Sequence, residues 1–239
     1  MKCSTEDLRD IRGFNFFVEN CNKDYLSQKF NLFRKHADEN NKTYIVRIAE
    51  SNYFRFEVLL IPKGPTLLSL STARGTNNIT LRSLSSIEEL TKLTYCAYNN
   101  PDVKKLFDQF LTASTRESEI VDLLERRDEV EVNNECQEVK LVKLELPMET
   151  QGKWVSSEIL TINKLSLKAL TSGQTRFVSI STERPQNSIK FTNFERIKSL
   201  FCFVAMVNEK MNKCDGLKEV VTALLESNPK TRRKRSKNE

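Results

Sequence analysis

Apolar and polar residues alternate in the same way in two stretches of the chain, residues 69–90 and 179–200. At the first stretch, Leu68 and Leu70 alternate with serines, which is the period of a strand with one buried face. The turn residues ARGTNN follow, and the alternation then resumes over a second short strand. Ser85 and the glutamate three residues on form a capping box, which predicts that a helix begins there. Each stretch is therefore predicted to fold as strand, turn, strand and helix.

The two stretches also agree residue by residue, at a constant offset of 110 and without a gap. Eight of 22 aligned positions are identical, where ordinary composition gives about one or two. Similarity within a chain at a fixed offset indicates a structural unit that occurs twice. The identical pairs are Ser69/Ser179, Ser71/Ser181, Thr72/Thr182, Arg74/Arg184, Asn77/Asn187, Ile79/Ile189, Ile87/Ile197 and Leu90/Leu200.

Further patterns around the two stretches extend the predicted unit. Strand patterns precede them at 43–51 and 53–61 and at 138–146 and 154–170, the last long enough for two strands. Helical patterns lie at 24–36, 117–127 and 216–227. The predicted fold is α+β, with two pseudo-repeated antiparallel four-strand-plus-helix units. The predicted divisions are a first helix-sheet-helix unit (1–112), an acidic helical linker (113–137), a second sheet-helix unit (138–228) and a basic disordered tail (229–239).

Composition limits the cellular setting. No apolar run approaches the roughly 20 residues that a membrane span needs, and the polar start MKCSTEDLRD is not a signal peptide. The six cysteines are scattered, without a CxxC pair. We therefore expect six reduced thiols in a cytosolic or nuclear protein. The alternative is a set of disulfides, which requires a secreted protein.

The charge of the chain is concentrated at its end. The net charge is +6, of which the last ten residues, KTRRKRSKNE, carry +5. Residues 117–138 carry −7, so the remainder of the body is basic. The tail is typical of a nuclear address or an arm for nucleic acid, and its alternative is a solvated, disordered end. Its basic residues are Lys230, Arg232, Arg233, Lys234, Arg235 and Lys237.

The order of elements in residues 54–71 and 165–181 resembles the PUR repeat of the Pur-alpha family and, more broadly, Whirly proteins. In that family a strand of alternating aromatics runs into a basic-glycine turn, and a strand ending in an Ile-Ser pair follows. The family's characteristic glycines and the acidic residue after the serine are missing, and Thr72 and Thr182 stand at the latter position. The resemblance covers roughly 43–98 and 138–212, and it implies a sheet-and-helix fold that binds single-stranded nucleic acid.

A sheet covered by helices on one side leaves its other face free for such binding. Basic side chains there contact phosphates and aromatic rings stack on bases. The candidates are Arg55, Arg74, Arg82, Lys164, Lys168, Arg176, Arg184 and Lys190, with the rings of Tyr53, Trp154 and Phe177. The predicted function is therefore a nuclear, non-catalytic protein that binds single-stranded DNA or RNA. The alternative is a scaffold that holds another protein of a nuclear complex on the same face, and homo- or hetero-oligomers stay open.

A second resemblance is to ribosome-inactivating N-glycosidases. Residues 14–36 are similar to the opening strand and helix of that family, and residues 113–127 to its catalytic helix, with Glu117 at the glutamate. The arginine that protonates the leaving base one turn later is replaced by Ile120, and the tyrosine-bearing strand reads LLSLSTA. The reaction loses its acid and its stacking rings, so at most an inactive relative is implied. We expect no catalytic residues, no cofactor and no metal, since the single histidine, His36, is predicted to be solvated.

Overall fold

One antiparallel sheet of ten strands forms the base of the structure. The structure is a computed structural model, and it describes residues 11–75, 77–112, 136–142, 154–172, 175–184 and 186–227. The strand order across the sheet is β1-β2-β3-β4-β5-β10-β9-β8-β7-β6. The strands are β1 (Asn15–Phe16), β2 (Tyr44–Glu50), β3 (Phe54–Leu60), β4 (Thr66–Thr72), β5 (Asn78–Leu81), β6 (Lys140–Leu141), β7 (Val155–Ile162), β8 (Leu165–Ser172), β9 (Thr175–Ser181) and β10 (Ser188–Phe191).

Five helices of the described residues pack on one face of this sheet. They are α1 (Lys23–Asn40), α2 (Ser85–Asn99), α3 (Pro101–Thr112), α4 (Glu195–Asn212) and α5 (Asp215–Glu226). Alternate residues of the strands, such as Phe54, Phe56 and Val58 of β3, are fully buried beneath them. Burial of one strand face in this way is the dominant stabilising term of a two-layer fold. The other face of the sheet carries the residues between these positions.

The helix layer crosses the middle of the sheet. α2 follows β5 in the chain but packs against β7 and β8, whereas α4 follows β10 and packs against β3. α2 and α4 also pack on each other. The Phe54 ring of β3 accordingly packs on two other rings. Its centre lies 6.2 Å from the centre of the Phe191 ring of β10 and 5.6 Å from that of Phe203 of α4. All the buried apolar residues therefore belong to one core rather than to a core in each half.

The mixed α+β class and the antiparallel strands predicted from the sequence are confirmed. The strand patterns at 43–51 and 53–61 are β2 and β3, and residues 154–170 contain β7 and most of β8. The helical patterns at 24–36 and 216–227 belong to α1 and α5. The capping box at Ser85 is wrong, because Leu84 is the N-cap and no side chain caps it. The helix predicted at 117–127, most of the linker and the basic tail lie outside the described residues.

The two halves of the sheet meet at β5 and β10, which share a single strand pair, Asn78 with Ser188. Beyond it, two asparagine side chains take the place of a paired backbone. Asn77 accepts from the backbone N–H of Lys190 at 3.0 Å and donates to its carbonyl at 2.5 Å. Asn187 does the same to Thr80, at 2.7 Å for both bonds. The edge amides and carbonyls of the short seam strands are thereby satisfied.

The cysteines of the described residues are disulfide-bonded, so the expectation of reduced thiols is wrong for them. Cys21 is bonded to Cys214 and Cys96 to Cys136, while Cys202 is disulfide-bonded as well. The partners are 193 and 40 residues apart in the chain, so only the fold brings them together. Disulfides persist in oxidising compartments and are rare in the nucleus and cytosol.

The Cys21–Cys214 bond ties the segment before α1 to the segment before α5. Gly216, in the first turn of α5, lies so close to it that a Cβ there would meet the Cys21 carbonyl oxygen and the Lys23 nitrogen at 2.1 and 2.7 Å. A backbone approach of this kind requires glycine. The Lys23 ammonium also pairs with Glu219 of α5 at 2.5 Å, on the exposed side of the same contact.

We expect the seam asparagines to be required for stability. Asn77→Ala and Asn187→Ala each leave a backbone N–H and a backbone carbonyl of the opposite half without their partner, which costs about 1–3 kcal/mol. Urea unfolding measures the loss. Asn40→Ala is the control, because the Asn40 side chain bonds only to His36 of its own helix, and we expect it to stay within about 0.5 kcal/mol of the parent. Equal effects at Asn40 and Asn77 would contradict the structural role of the seam.

We also expect the long-range disulfide to stabilise the chain. Replacement of both Cys21 and Cys214 by Ser should lower the free energy of unfolding by about 2–5 kcal/mol, because a very long loop is no longer closed in the unfolded chain. Thermal unfolding with and without a reductant checks this. The reductant should lower the melting temperature of the parent more than that of the double variant, whereas equal effects would show that this bond contributes nothing.

Candidate binding face

The face of the sheet away from the five described helices is polar. We call it the polar face and define it by the strand residues that alternate with the buried apolar ones. Its centre, on both sides of the seam, is a band of short side chains that includes Ser69, Ser71, Ser179, Ser181 and Ser188. Longer side chains stand on the outer strands β2, β3, β7 and β8. We call this band the serine floor, the outer strands its raised sides, and the whole the trough. The five named serines are themselves buried, with only 2–7% of each exposed.

The charged side chains of the raised sides are paired with each other. On β2 and β3, Arg47 contacts Glu57 at 3.3 Å and Glu50 at 2.9 Å, and Arg55 lies 3.9 Å from Glu50. On β7 and β8, Lys168 contacts Glu158 at 2.7 Å. Two of the basic residues predicted to contact phosphates, Arg55 and Lys168, are thus already neutralised by a neighbouring carboxylate. The trough lacks a continuous run of free cations along its described sides.

The Lys168–Glu158 pair is a cross-strand contact with a third member. The hydroxyl of Ser166 donates to the same Glu158 oxygen at 3.1 Å. The hydrogen bond from Lys168 holds the pKa of Glu158 below its ordinary value of 4.5, against the effect of burial, which raises it. A carboxylate with a lowered pKa stabilises the fold at pH values above 4.5 and loses that contribution as the pH falls through its folded-state pKa.

Three of the predicted site residues meet on the polar face. Trp154, which precedes β7, is 55% exposed, and its ring lies 5.8 Å from that of Phe177 on β9. The ammonium of Lys190 on β10 lies 5.0 Å from the centre of the Trp154 ring, a cation–π contact. These three residues, which we call the Trp154 cluster, join three strands of the second half. They form a large ring surface that borders the serine floor.

The other predicted residues do not join this cluster. Arg176 lies on the helix-covered face, where it donates to the Phe110 carbonyl at 3.0 Å and stacks on the Phe110 ring. Its assignment to the free face is therefore corrected. Val178 and Ile180 of the same strand face the core, and a period of two places Arg176 with them. Five residues lie in turns and connections at the ends of strands: Tyr53, Arg74, Arg82, Lys164 and Arg184.

Some contacts were missed by the sequence reasoning. Arg196 of α4 stacks on Tyr53 at 3.9 Å, so this ring is already covered on one side. Lys164 lies 3.7 Å from Glu183. The pairing of Glu158 with Lys168 had no readable signal. The turn that pairs Ile162 with Leu165 would by itself set Glu158 opposite Ala169, and a register shift between Glu158 and Leu160 sets it opposite Lys168 instead.

A cleft of about 520 Å³ lies at the opposite edge of the sheet, between α1 and β2. Exposed rings line it, including Phe17 and Tyr25, and the Lys29 ammonium stands 5.8 Å from the Tyr25 ring. None of the predicted site residues lies in this cleft. In the described part of the chain, no group of three or more histidine, cysteine, aspartate or glutamate side chains is arranged to hold a metal. The two glycosidase positions, Glu117 and Ile120, lie outside the described residues.

Comparisons with protein families, with curated proteins and with solved structures find no match to this chain. No helix of the described ranges is long and apolar enough to cross a bilayer.

We expect Lys168→Met to raise the pKa of Glu158 to its ordinary value or above, because burial then acts without the compensating hydrogen bond. The variant should lose a little stability at pH 7, under about 1 kcal/mol for so exposed a carboxylate, and less at pH 3, where Glu158 is more protonated. An NMR titration of the Glu158 carboxyl carbon and unfolding at both pH values measure this. Lys164→Met is the control, since it removes only the longer contact to Glu183. An unchanged titration in Lys168→Met would contradict the assignment.

Proposed function

We propose that this chain is a non-catalytic binding protein of an oxidising compartment, and that its polar face holds a protein partner centred on the Trp154 cluster. The observation that carries the proposal is Trp154 itself. More than half of this large ring is exposed, and Phe177 and Lys190 support it from neighbouring strands. Tryptophan is enriched among the residues that dominate protein–protein binding energies.

The paired charges of the trough favour a protein over a nucleic acid. Nucleic-acid binding depends on the neutralisation of phosphates by free cations. On the polar face, Arg47, Arg55 and Lys168 are held by carboxylates, which would have to be displaced. Mixed charge around an exposed aromatic residue is typical of a protein interface, with its polar rim and aromatic centre.

The disulfides favour an oxidising compartment over the nucleus. A nuclear protein is kept in a reducing environment, in which disulfides are rare. The disulfides of Cys21, Cys96 and Cys202 are therefore better suited to an extracellular or lumenal location. The nuclear location predicted from the basic tail stays a prediction, and a basic tail is equally suited to an acidic surface outside the cell.

Binding of single-stranded nucleic acid remains the second candidate. The exposed ring of Trp154, with a lysine beside it, is the kind of platform on which a base stacks, worth about 1–3 kcal/mol per base. This function predicts that residues 1–229 bind a labelled single strand at moderate salt. Affinity should then fall when Arg74 and Arg184 are both changed to Ala.

We also propose that the two halves are copies of one four-strand-plus-helix unit. Strands β2–β5 precede α2 and strands β7–β10 precede α4, in mirrored order across the seam. The register shifts between Arg47 and Ala49 in one half and between Glu158 and Leu160 in the other. Under this proposal the polar face is a single platform built by two related units, and superposition of the halves in an experimental structure tests it.

Photo-crosslinking from the polar face tests the proposed function. A photo-reactive amino acid at Ser156, which is exposed on β7 beside Trp154, should give a covalent adduct with a protein when the full chain is irradiated in its own cells. Trp154→Ala should reduce the adduct at least about tenfold, because loss of such a residue costs 1.4 kcal/mol or more. Circular dichroism confirms that the variant is folded.

The control places the same photo-reactive group at Glu88, which is exposed on α2 in the helix layer. We expect the protein that is crosslinked from Ser156 not to be crosslinked from Glu88. Adducts with nucleic acid, or adducts that are insensitive to Trp154→Ala, would overturn the protein-binding function. Strand binding by residues 1–229 that depends on Arg74 and Arg184 would establish the second candidate instead.

A further inference from the structure

The turn between α1 and β2 contains the tripeptide Asn41-Lys42-Thr43. This is the acceptor pattern of N-linked glycosylation, in which asparagine is followed by any residue except proline and then by serine or threonine. All three residues are exposed. The pattern therefore lies in a surface turn, the position in which a bulky sugar is tolerated by the fold.

The backbone of the turn explains the asparagine but not the threonine. Asn41 is the C-cap of α1, with φ 50° and ψ 38°, a left-handed conformation that asparagine adopts more readily than most residues. Its backbone N–H donates to the Ala37 carbonyl. The Asn41 amide and the Thr43 hydroxyl have no hydrogen-bond partner among the described residues, so neither side chain is needed to hold the turn.

A second copy of the pattern, Asn78-Ile79-Thr80, is used by the fold in a different way. Thr80 bonds the Asn187 side chain through its hydroxyl at 3.0 Å and through its backbone, and Ile79 is fully buried. Asn78 forms the single strand pair of the seam with Ser188 and stands on the polar face. A glycan at Asn78 would cover the trough, whereas one at Asn41 leaves the trough free.

We propose that Asn41 is a site of N-linked glycosylation and that Asn78 stays unmodified. In the reaction, the Asn41 Nδ2 attacks the first carbon of a lipid-pyrophosphate-linked oligosaccharide. The new bond joins carbon to Nδ2, the bond from that carbon to the pyrophosphate oxygen breaks, and the lipid pyrophosphate leaves. One amide proton passes to a base of the membrane transferase. This inference rests on the proposed oxidising compartment, because the transferase acts where disulfides form.

The test uses the full chain purified from its own cells, before and after treatment with a peptide N-glycosidase. We expect one step of faster gel migration in the parent, with aspartate found at position 41 by mass spectrometry. Asn41→Asp and Thr43→Val should remove the step completely. Thr43→Ser is the matched control and should keep it, because serine also completes the acceptor pattern.

Alkylation of free thiols in the same samples separates two kinds of failure. Oxidised cysteines without a glycan at Asn41 overturn this inference and leave the compartment in place. Free thiols at Cys21 and Cys96 overturn both the glycosylation of Asn41 and the oxidising compartment. A glycan at Asn78 overturns its assignment as unmodified and counts against the polar face as the docking surface.

Discussion

Two asparagine side chains at the seam hold the sheet together where the backbone itself does not. β5 and β10 share one residue pair, which is too little to join two sheets, since isolated strand pairs are marginal in water. Asn77 and Asn187 extend the pairing by presenting an amide that donates and accepts as a peptide group does. Each bonds a residue of the opposite half, so the contact is reciprocal. The continuous ten-stranded sheet, and the trough that runs across it, depend on these bonds.

The helix layer follows from the same constraint. Because the seam joins the last strand of each half, the helix after each half leaves the sheet near its middle and continues over the strands of the opposite half. Phe54 accordingly packs against Phe203 of α4, so each half covers part of the strands of the other. The Cys21–Cys214 bond then fastens α5 to the start of α1 at the side of this layer. All five helices of the described residues lie on one face of the sheet, and the polar face carries the serines and the paired charges.

The local elements were readable from the sequence and the long-range contacts were not. Alternation at Leu68 and Leu70 reports the backbone period directly, so β4 and its neighbours were predicted within a few residues. Nothing in the spacing of Cys21 and Cys214 indicates that α5 returns to α1, so the reduced thiols were the wrong expectation. Three of the predicted site residues, Trp154, Phe177 and Lys190, lie together on the polar face, and their role in binding stays a prediction. Arg176 was misplaced because its register with Ile180 was not followed along the strand.

The paired charges and the exposed ring of the polar face have different energetic consequences for a partner. Exposed ion pairs such as Arg47–Glu50 contribute little to stability, under about 1 kcal/mol, but they present both signs of charge to an arriving surface. They select an arriving surface by its charge pattern more than they strengthen its binding. Trp154 offers the opposite: a large apolar area whose burial is favourable and little dependent on salt. Affinity should therefore come from the Trp154 cluster and selectivity from the charges on both sides of the serine floor. A protein surface with one apolar projection and alternating charges is complementary to such a face, and a uniformly negative strand is not.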